Sequence, residues 1–305
     1  MKKQDLQKAA VPDAVTASSC GCAADKIPNE ALANVRRIVV HGGLAHVDDI
    51  MACALAYAFG VSHDAQIERR NPRPEELDDN ATLVLDVGGV HDPARLDFDH
   101  HQRPRSEPPK CAFKLLGEWV GADEELMLLF PWYTSWNLVD VLGPFAAAKT
   151  IGADWKLLEG LIDNPLADFM IRRFADDPSF RCKSARAIGN GISLTRRLWS
   201  SLNEKVVRRT LAGLPAADFT ACATEEISRC SDAWIRIHSP ACIVSKDSRG
   251  AGLTILRCND DPRLDFTRCA GRPYAAYCHP GGFLLKTVSL SDDPEEAVRD
   301  ALLKA

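Results

Sequence analysis

Asp99, His100 and His101 stand side by side at the end of a short run, Leu96-Asp97-Phe98-Asp99, in which apolar and acidic residues alternate. Neutral imidazole beside carboxylate is a donor set that suits Mn²⁺, Mg²⁺, Zn²⁺ or Fe²⁺, and a nearby carboxylate commonly holds the second nitrogen of a metal-bound imidazole. The alternation predicts a strand with one buried face, stopped at Gln102-Arg103-Pro104, which cannot continue a ladder. Taken alone, Asp-His-His is better explained by a polar turn. Two upstream groups of the same chemical character change the balance: His41, His46 and Asp48 within HGGLAHVDD (41–49), and Asp86 at the end of the apolar run in LVLDVGG (83–89).

Positioning these side chains together requires a particular set of elements. Residues 36–40 read as a buried strand and 41–46 as a tight connection. Residues 48–59 read as a helix whose positive end carries Asp48 and Asp49; helix-terminal charge is the simpler reading for Asp49. Residues 66–69 and 81–86 supply two more strands. Strands alternating with helices imply a parallel sheet whose ligands gather at the carboxyl ends, so His41, Asp86 and Asp99 should share one edge. Further on, 111–120 and 123–129 read as helices, and Trp132, Tyr133 and Trp136 form an aromatic cluster that is assigned to packing, although such rings can also stack bases. Helices should fill most of 154–211, including a long connecting helix over 188–207, before a break at Gly213-Leu214-Pro215. Strand-like runs follow at 234–237, 241–244, 252–257, 274–278 and 283–290, with a last helix over 294–303. The expected fold is therefore α/β, with a metal-binding parallel-sheet domain (35–150), a helical connector (151–212) and a smaller C-terminal α/β substrate-binding domain (213–305). Residues 1–34 lack periodicity and contain Pro12 and Pro28, as expected of a flexible leader.

Composition narrows the function classes. A chain of 305 residues with 46% hydrophobic and 26% charged residues is ordinary for a globular protein and long for a single core. No apolar run reaches the roughly 18 residues of a membrane span, and the N-terminal residues have no apolar signal core, so a cytoplasmic location is expected. Eleven cysteines, odd in number and without a C-x-x-C pair, read as reduced and mostly buried thiols. A net charge of −5 argues against coating long nucleic acid, since such binding rests on neutralising many phosphates.

Taken in order, the segments 41–49, 83–89 and 96–101 resemble the DHH phosphoesterase superfamily, whose third motif is Asp-His-His. The usual first motif is H-x-x-x-D-x-D; here His41 is followed by His46 and Asp48 with one extra residue. This spacing, and the continuation of Asp-His-His into Gln102-Arg103, is most similar to the Myg-type DHH-like hydrolases. The resemblance implies a centre of two metal ions, Mn²⁺ foremost. His41, His46, Asp48 and His100 would be ligands, Asp86 would bridge, His101 would face the scissile phosphate, and Asp99 would orient the histidine pair. A fourth motif supplies one more aspartate, for which Asp140 is preferred over Asp163. In the C-terminal part, Arg257 and the run His279-Pro280-Gly281-Gly282 resemble the substrate-binding domain of such enzymes, and backbone N–H groups at glycines together with a bidentate guanidinium can hold phosphate. A tight turn between two strands explains His279–Gly282 equally well. Arg103 and Arg105 are expected to meet phosphate as well, whereas Lys110 and Lys114 read as a solvated face. The implied activity is two-metal hydrolysis of short or terminal nucleotide phosphodiesters in the cleft between the domains. A small-molecule phosphatase or pyrophosphatase, or a non-catalytic nucleotide-binding protein, is the alternative. The expected partner is a short oligonucleotide or nucleotide, not a membrane, and a homodimer is left open.

Overall fold

The computed structural model describes residues 30–104, 106–162, 165–205, 220–221 and 240–303. Most of the expected leader, Arg105, Asp163, the break at 213–215 and the strand at 234–237 lie outside the described residues. A first sheet contains β1 (Arg37–Val40), β2 (Gln66–Arg69), β3 (Thr82–Leu85), β4 (His91–Asp92) and β5 (Asp97–Phe98), in the order β2-β1-β3-β5-β4. All neighbours are parallel except β4, which pairs antiparallel with β5. Every residue of β3 is buried, which is why Thr82-Leu83-Val84-Leu85 reads as a continuous apolar strand without alternation.

The register carries the consequence for function. Val40 pairs with Leu85, and Leu85 with Phe98. The next residue on each strand is His41, Asp86 and Asp99, so the three fall in one row just past the last paired residues. β5 departs from the expected half-buried strand, because Leu96, Asp97, Phe98 and Asp99 are all buried. Its acidic residues do not face water; β4 and the sheet interior enclose them.

Helix α1 (Glu30–Ala33) precedes β1, and α2 (Val47–Ala58) follows it. All of Asp48–Tyr57 is buried, so α2 is enclosed all round and needs cover beyond the sheet. That cover comes from two places: α3 (Ala112–Trp119) and the 28-residue α9 (Pro178–Lys205). Between them lie α4 (Asp123–Leu129), α5 (Tyr133–Leu142), α6 (Pro144–Ile151), α7 (Trp155–Ile162) and α8 (Pro165–Asp176). Phe174 of α8 and Cys182, Ala185 and Ile192 of α9 belong to the same buried cluster as Ile38, Leu55, Leu83 and Phe98. The segment expected as a connector therefore completes the first core. Its sequence reads as a polar, loosely amphipathic stretch, and only the need of α2 for a second cover explains its position.

A second five-stranded sheet runs β6-β7-β8-β10-β9, from β6 (Thr220–Ala221), β7 (Cys242–Lys246), β8 (Leu253–Arg257), β9 (Ala275–Cys278) and β10 (Leu284–Thr287). It is antiparallel apart from the β6–β7 pair. Its own core includes Val244, Ile255, Phe266 and Leu285, closed by Ala297, Val298 and Ala301 of α10 (Pro294–Ala301). Among the described residues six cysteines are buried and Cys278 is half-buried. No helix among the described residues is long and apolar enough to cross a membrane.

The contact between α2 and α9 is close enough to require glycine. A Cβ at Gly189 would lie 2.6 Å from the carbonyl oxygen of Ala54 and 3.1 Å from the Cβ of Tyr57, whereas one at Gly191 would meet nothing within 4 Å. Gly189→Ala should therefore destabilise the chain by about 1–3 kcal/mol through overpacking. Gly191→Ala should stabilise it by up to about 1 kcal/mol through helix propensity. Thermal denaturation of the two variants should show midpoints displaced in opposite directions, and equal midpoints would remove the close α2–α9 contact.

Candidate metal centre

The row at the strand ends is surrounded by groups from two helices. His41 follows β1, and its Nε2 lies 3.2 Å from Asp49 Oδ2 and 3.4 Å from Asp86 Oδ2. Asp86 follows β3 with φ of 58°, a left-handed conformation that asparagine and aspartate tolerate better than most residues, though it still carries strain. That turn directs its other oxygen towards the histidine pair: Asp86 Oδ1 is 2.9 Å from His100 Nε2 and 3.7 Å from His101 Nδ1. Asp140 arrives from α5 with Oδ2 3.3 Å from His100 Nε2 and Oδ1 3.9 Å from His46 Nδ1.

Three overlapping groups of potential metal donors result: His41, His46, Asp49 and Asp86; Asp86, His100 and His101; and Asp48, His100 and Asp140. Within each group the donor atoms lie within 4.8 Å of one another. Asp86 is common to the first two groups, and His100 to the last two.

Asp99 has a different task. It accepts hydrogen bonds from the amides of Gly89 (2.6 Å) and His101 (3.0 Å), and lies 2.7 Å from His101 Nδ1. Burial opposes ionisation of Asp99, but the His101 amide and ring and the Gly89 amide outweigh it and hold its carboxyl below the usual range. An ionised Asp99 keeps the proton of His101 on Nδ1, leaving Nε2 as the outward nitrogen of a half-exposed ring.

Asp48 and Asp49 also divide their work. Asp48 accepts from the amides of Ala112 and Phe113, both at 2.8 Å, and so ties α2 to the start of α3. Asp49 is fully buried; its Oδ2 accepts from the His46 amide at 2.7 Å, and its Oδ1 has no hydrogen-bond partner. The expected helix-terminal role of Asp49 is thus present, but the same carboxylate also faces His41, which the sequence reading missed. The signal was available: Asp48 and Asp49 are the only charged residues of a helix that is otherwise almost wholly apolar. A second omission is Arg69, at the carboxyl end of β2. Its Nη1 donates to the carbonyl of Gly43 at 3.1 Å, while Nε and Nη2 are buried without partners.

The electrostatics describe a site short of positive charge. Burial, then the neighbouring charges of Asp49 and Asp140, pushes Asp86 up to about 8. Burial, then Asp48, does the same for Asp140, also to about 8. Asp48 rises to about 7 for the same first reason, despite its two amide donors. The bond with Asp49 raises His41 to about 9. Buried carboxylates this close repel one another unless protons or cations stand between them. Asp49 Oδ1 without a hydrogen-bond partner and Asp86 Oδ1 facing His100 Nε2 at 2.9 Å, with imidazole nitrogens on the same space, fit hard or borderline divalent cations.

The remaining expected residues have partners of their own. Arg103 is paired with Glu107 at 2.6 Å, and Lys110 and Lys114 are engaged by Glu118 and Asp123. Arg257 donates to the carbonyl of Leu264 at 2.8 Å, with Nε buried and unpartnered. At His279, Gly281 and Gly282 the described structure has the tight turn that was the alternative to an anion cradle. The Gly281 amide donates to His279 Nδ1 at 3.0 Å and the Gly282 amide to the carbonyl of His279 at 2.9 Å, so both N–H groups serve the turn between β9 and β10. Gly282, at φ of 68°, is glycine because a Cβ would strike Asp265.

A cavity of about 890 Å³ opens beside the cluster. His46, Asp48 and Asp140 form its polar side, and Leu44, Met51, Phe113, Trp132, Trp136 and Ile171 are among its apolar walls. Tyr133 is buried as expected, with its hydroxyl on Asp123 at 2.7 Å, but the two tryptophans of the same cluster face this space.

A His/Asp cluster on the carboxyl edge of a parallel sheet is a candidate metal centre of the α/β type, and the comparisons with known proteins specify it further. Residues 37–115, which contain all three motifs, match the MYG1_exonuc family model, described as an uncharacterised protein family (UPF0160). The chain is 44% identical over 71 residues to the MYG1 exonuclease of Homo sapiens, spanning 23% of this chain and 18% of that protein. It is 40% identical over 85 residues to the MYG1 exonuclease of Bos taurus, spanning 28% and 22%. With the MYG1 protein of Chlamydia pneumoniae the identity is 37% over 67 residues, spanning 22% of each. The matches thus cover about a fifth of these relatives' length. A solved structure described as the DHH domain of a member of a ribosomal-protein family is similar at 14% identity and a TM-score of 0.29, covering 90% of this chain and 88% of that one. The resemblance expected from the motifs is borne out over residues 37–115.

The titration of the site has a measurable sign. Asp86 and Asp140 bind protons more tightly in the folded chain than in the unfolded one, so the metal-free protein should lose stability as pH rises from about 4 to about 8. His41, raised to about 9, adds a loss in the same direction above its ordinary value of 6.5. A bound divalent cation replaces those protons and should flatten the slope. Denaturation midpoints measured from pH 4 to pH 9, with chelator and then with Mn²⁺, test this; a chelated profile without decline would contradict it.

Proposed function

We propose that this chain is a divalent-metal-dependent phosphoesterase that hydrolyses short or terminal nucleotide phosphodiesters at a two-ion centre. The observation that carries the reading is the position of Asp86, common to two groups of donors, with one oxygen towards His41 and the other towards His100. His41, His46, Asp49 and Asp86 would hold one ion, and Asp86, His100 and Asp140, with Asp48 adjoining, the other. Mn²⁺ or Mg²⁺ suits this oxygen- and imidazole-rich set. When bound, such a pair lowers the pKa of water and stabilises the charge that develops on phosphate.

The chain's own residues do the rest. Asp99 fixes the ring of His101, and the outward Nε2 of that ring hydrogen-bonds a phosphate oxygen or holds a proton for the leaving oxygen. Asp48, through the α3 amides, sets the start of α2 and so the place of Asp49. Arg69 anchors the 41–46 loop through the Gly43 carbonyl and adds positive charge beside His46. The relatives named as exonucleases support a nucleic-acid substrate over the phosphatase alternative. The number of buried acidic and imidazole donors favours catalysis over simple binding, since a pure nucleotide-binding role would not require them.

Asp86→Ala should lose both bound metal and activity, the latter by on the order of 10³ or more. His101→Gln should retain metal while kcat falls by roughly 10²–10⁴. Metal content together with hydrolysis of short RNA, short DNA and pyrophosphate in Mn²⁺ tests both. Undiminished activity in Asp86→Ala, or in wild type after exhaustive chelation, would overturn the proposal.

A further inference from the structure

We infer that the cavity beside the metal cluster is a nucleobase pocket in which Trp136 stacks the base adjoining the phosphate handled at the cluster. This rests on the phosphoesterase reading for the position of the phosphate. The pocket itself is argued from its walls.

The cavity's volume of about 890 Å³ lies within the roughly 300–1,000 Å³ usual for small-molecule sites, and exceeds what a phosphate alone would need. Its polar side is His46, Asp48 and Asp140, residues of the donor groups themselves, so a ligand whose phosphate lies at the cluster extends directly into the cavity. The opposite walls are mainly aliphatic and aromatic, and the charged residues among them, Arg172 and Asp168, are exposed and pair with each other at 2.8 Å. A group that is attached to phosphate, flat and mostly apolar on its faces meets both requirements. A nucleobase is such a group.

The aromatic residues are not equivalent. Trp132 is committed to the protein, stacked on Phe113 at 6.5 Å and tilted against Phe130 at 5.1 Å. Trp136, one turn further along, is partly exposed and meets no other ring among the described residues. It is also one turn before Asp140 on the same helix, so α5 presents the stacking ring and the cluster carboxylate on one face. Sequence spacing alone had assigned both tryptophans to packing; the structure separates the packed ring from the available one. Stacking on an indole reads every base similarly.

The test compares ligands that differ only in the base. Binding of adenosine 5′-monophosphate and of ribose 5-phosphate is measured by titration calorimetry on the Mn²⁺-loaded protein, and in parallel by quenching of tryptophan fluorescence. Wild type should prefer the nucleotide by roughly 5- to 100-fold, the range set by base–aromatic stacking. Trp136→Ala should lose most of that preference and Trp136→Phe should keep most of it. Equal affinity of wild type for the two ligands overturns the inference, and so does a preference that survives in Trp136→Ala. These binding ratios are independent of turnover. Failure of the phosphoesterase reading would instead appear as absence of metal-dependent hydrolysis alongside an intact base preference.

Discussion

The pairing of three short parallel strands in one register is the constraint on which the rest depends. Because Val40, Leu85 and Phe98 are neighbours, the first unpaired residue of each strand is a histidine or an aspartate in the same row. A slip of one residue in any strand would point these side chains to the opposite face of the sheet and place an apolar residue at its edge. Burial of β3 on both faces and of Phe98 prevents such a slip. Close packing of the strands thus gathers acidic groups into a region that solvates them poorly. The left-handed backbone of Asp86 and the unpartnered Oδ1 of Asp49 are the local expression of that conflict.

The helical layer solves a second problem that α2 creates. A helix buried all round cannot rest on the sheet alone, and α9 reaches it through Gly189 closely enough to exclude a side chain. The chain between α3 and α9 must then pass over the open edge of the strands. In doing so it brings α5 to the cluster with Asp140 and Trp136, and α8 to the far wall of the cavity. The same covering that stabilises α2 thereby builds the pocket. Asp48, bonded to the amides that open α3, is the direct link between the two.

The C-terminal sheet shows the opposite relation between motif and structure. Arg257 and the glycines at 281–282 have the composition of a phosphate-binding loop, yet Arg257 Nη1 donates to Leu264 and the glycine amides donate to His279, within the same unit. A glycine-rich run is ambiguous because the freedom that admits an anion also admits a tight hairpin. Backbone donors are satisfied locally wherever geometry allows.

What was legible in the amino-acid order was the part governed by neighbouring residues. Apolar runs marked the strands, acids at 48–49 marked the start of α2, and residue types at 41, 46, 86, 99, 100 and 101 marked the cluster and its resemblance. Asp140 was preferred from its distance along the chain, and the structure brings it against His100. Other features depend on contacts between distant segments, for which local order has no signature. These include the burial of Asp97 on a strand that alternates like a surface one, the use of 165–205 as cover for α2, and the facing of Asp49 towards His41. The difference between Trp132 and Trp136 is of the same kind. Both lie at the start of one helix, four residues apart, and only the packing of Phe113 and Phe130 against the first leaves the second open. Local order settles which chemistry a residue can perform; the pairing register and the packing of helices decide which of those groups share a volume, because that is set by the burial of apolar surface elsewhere in the chain.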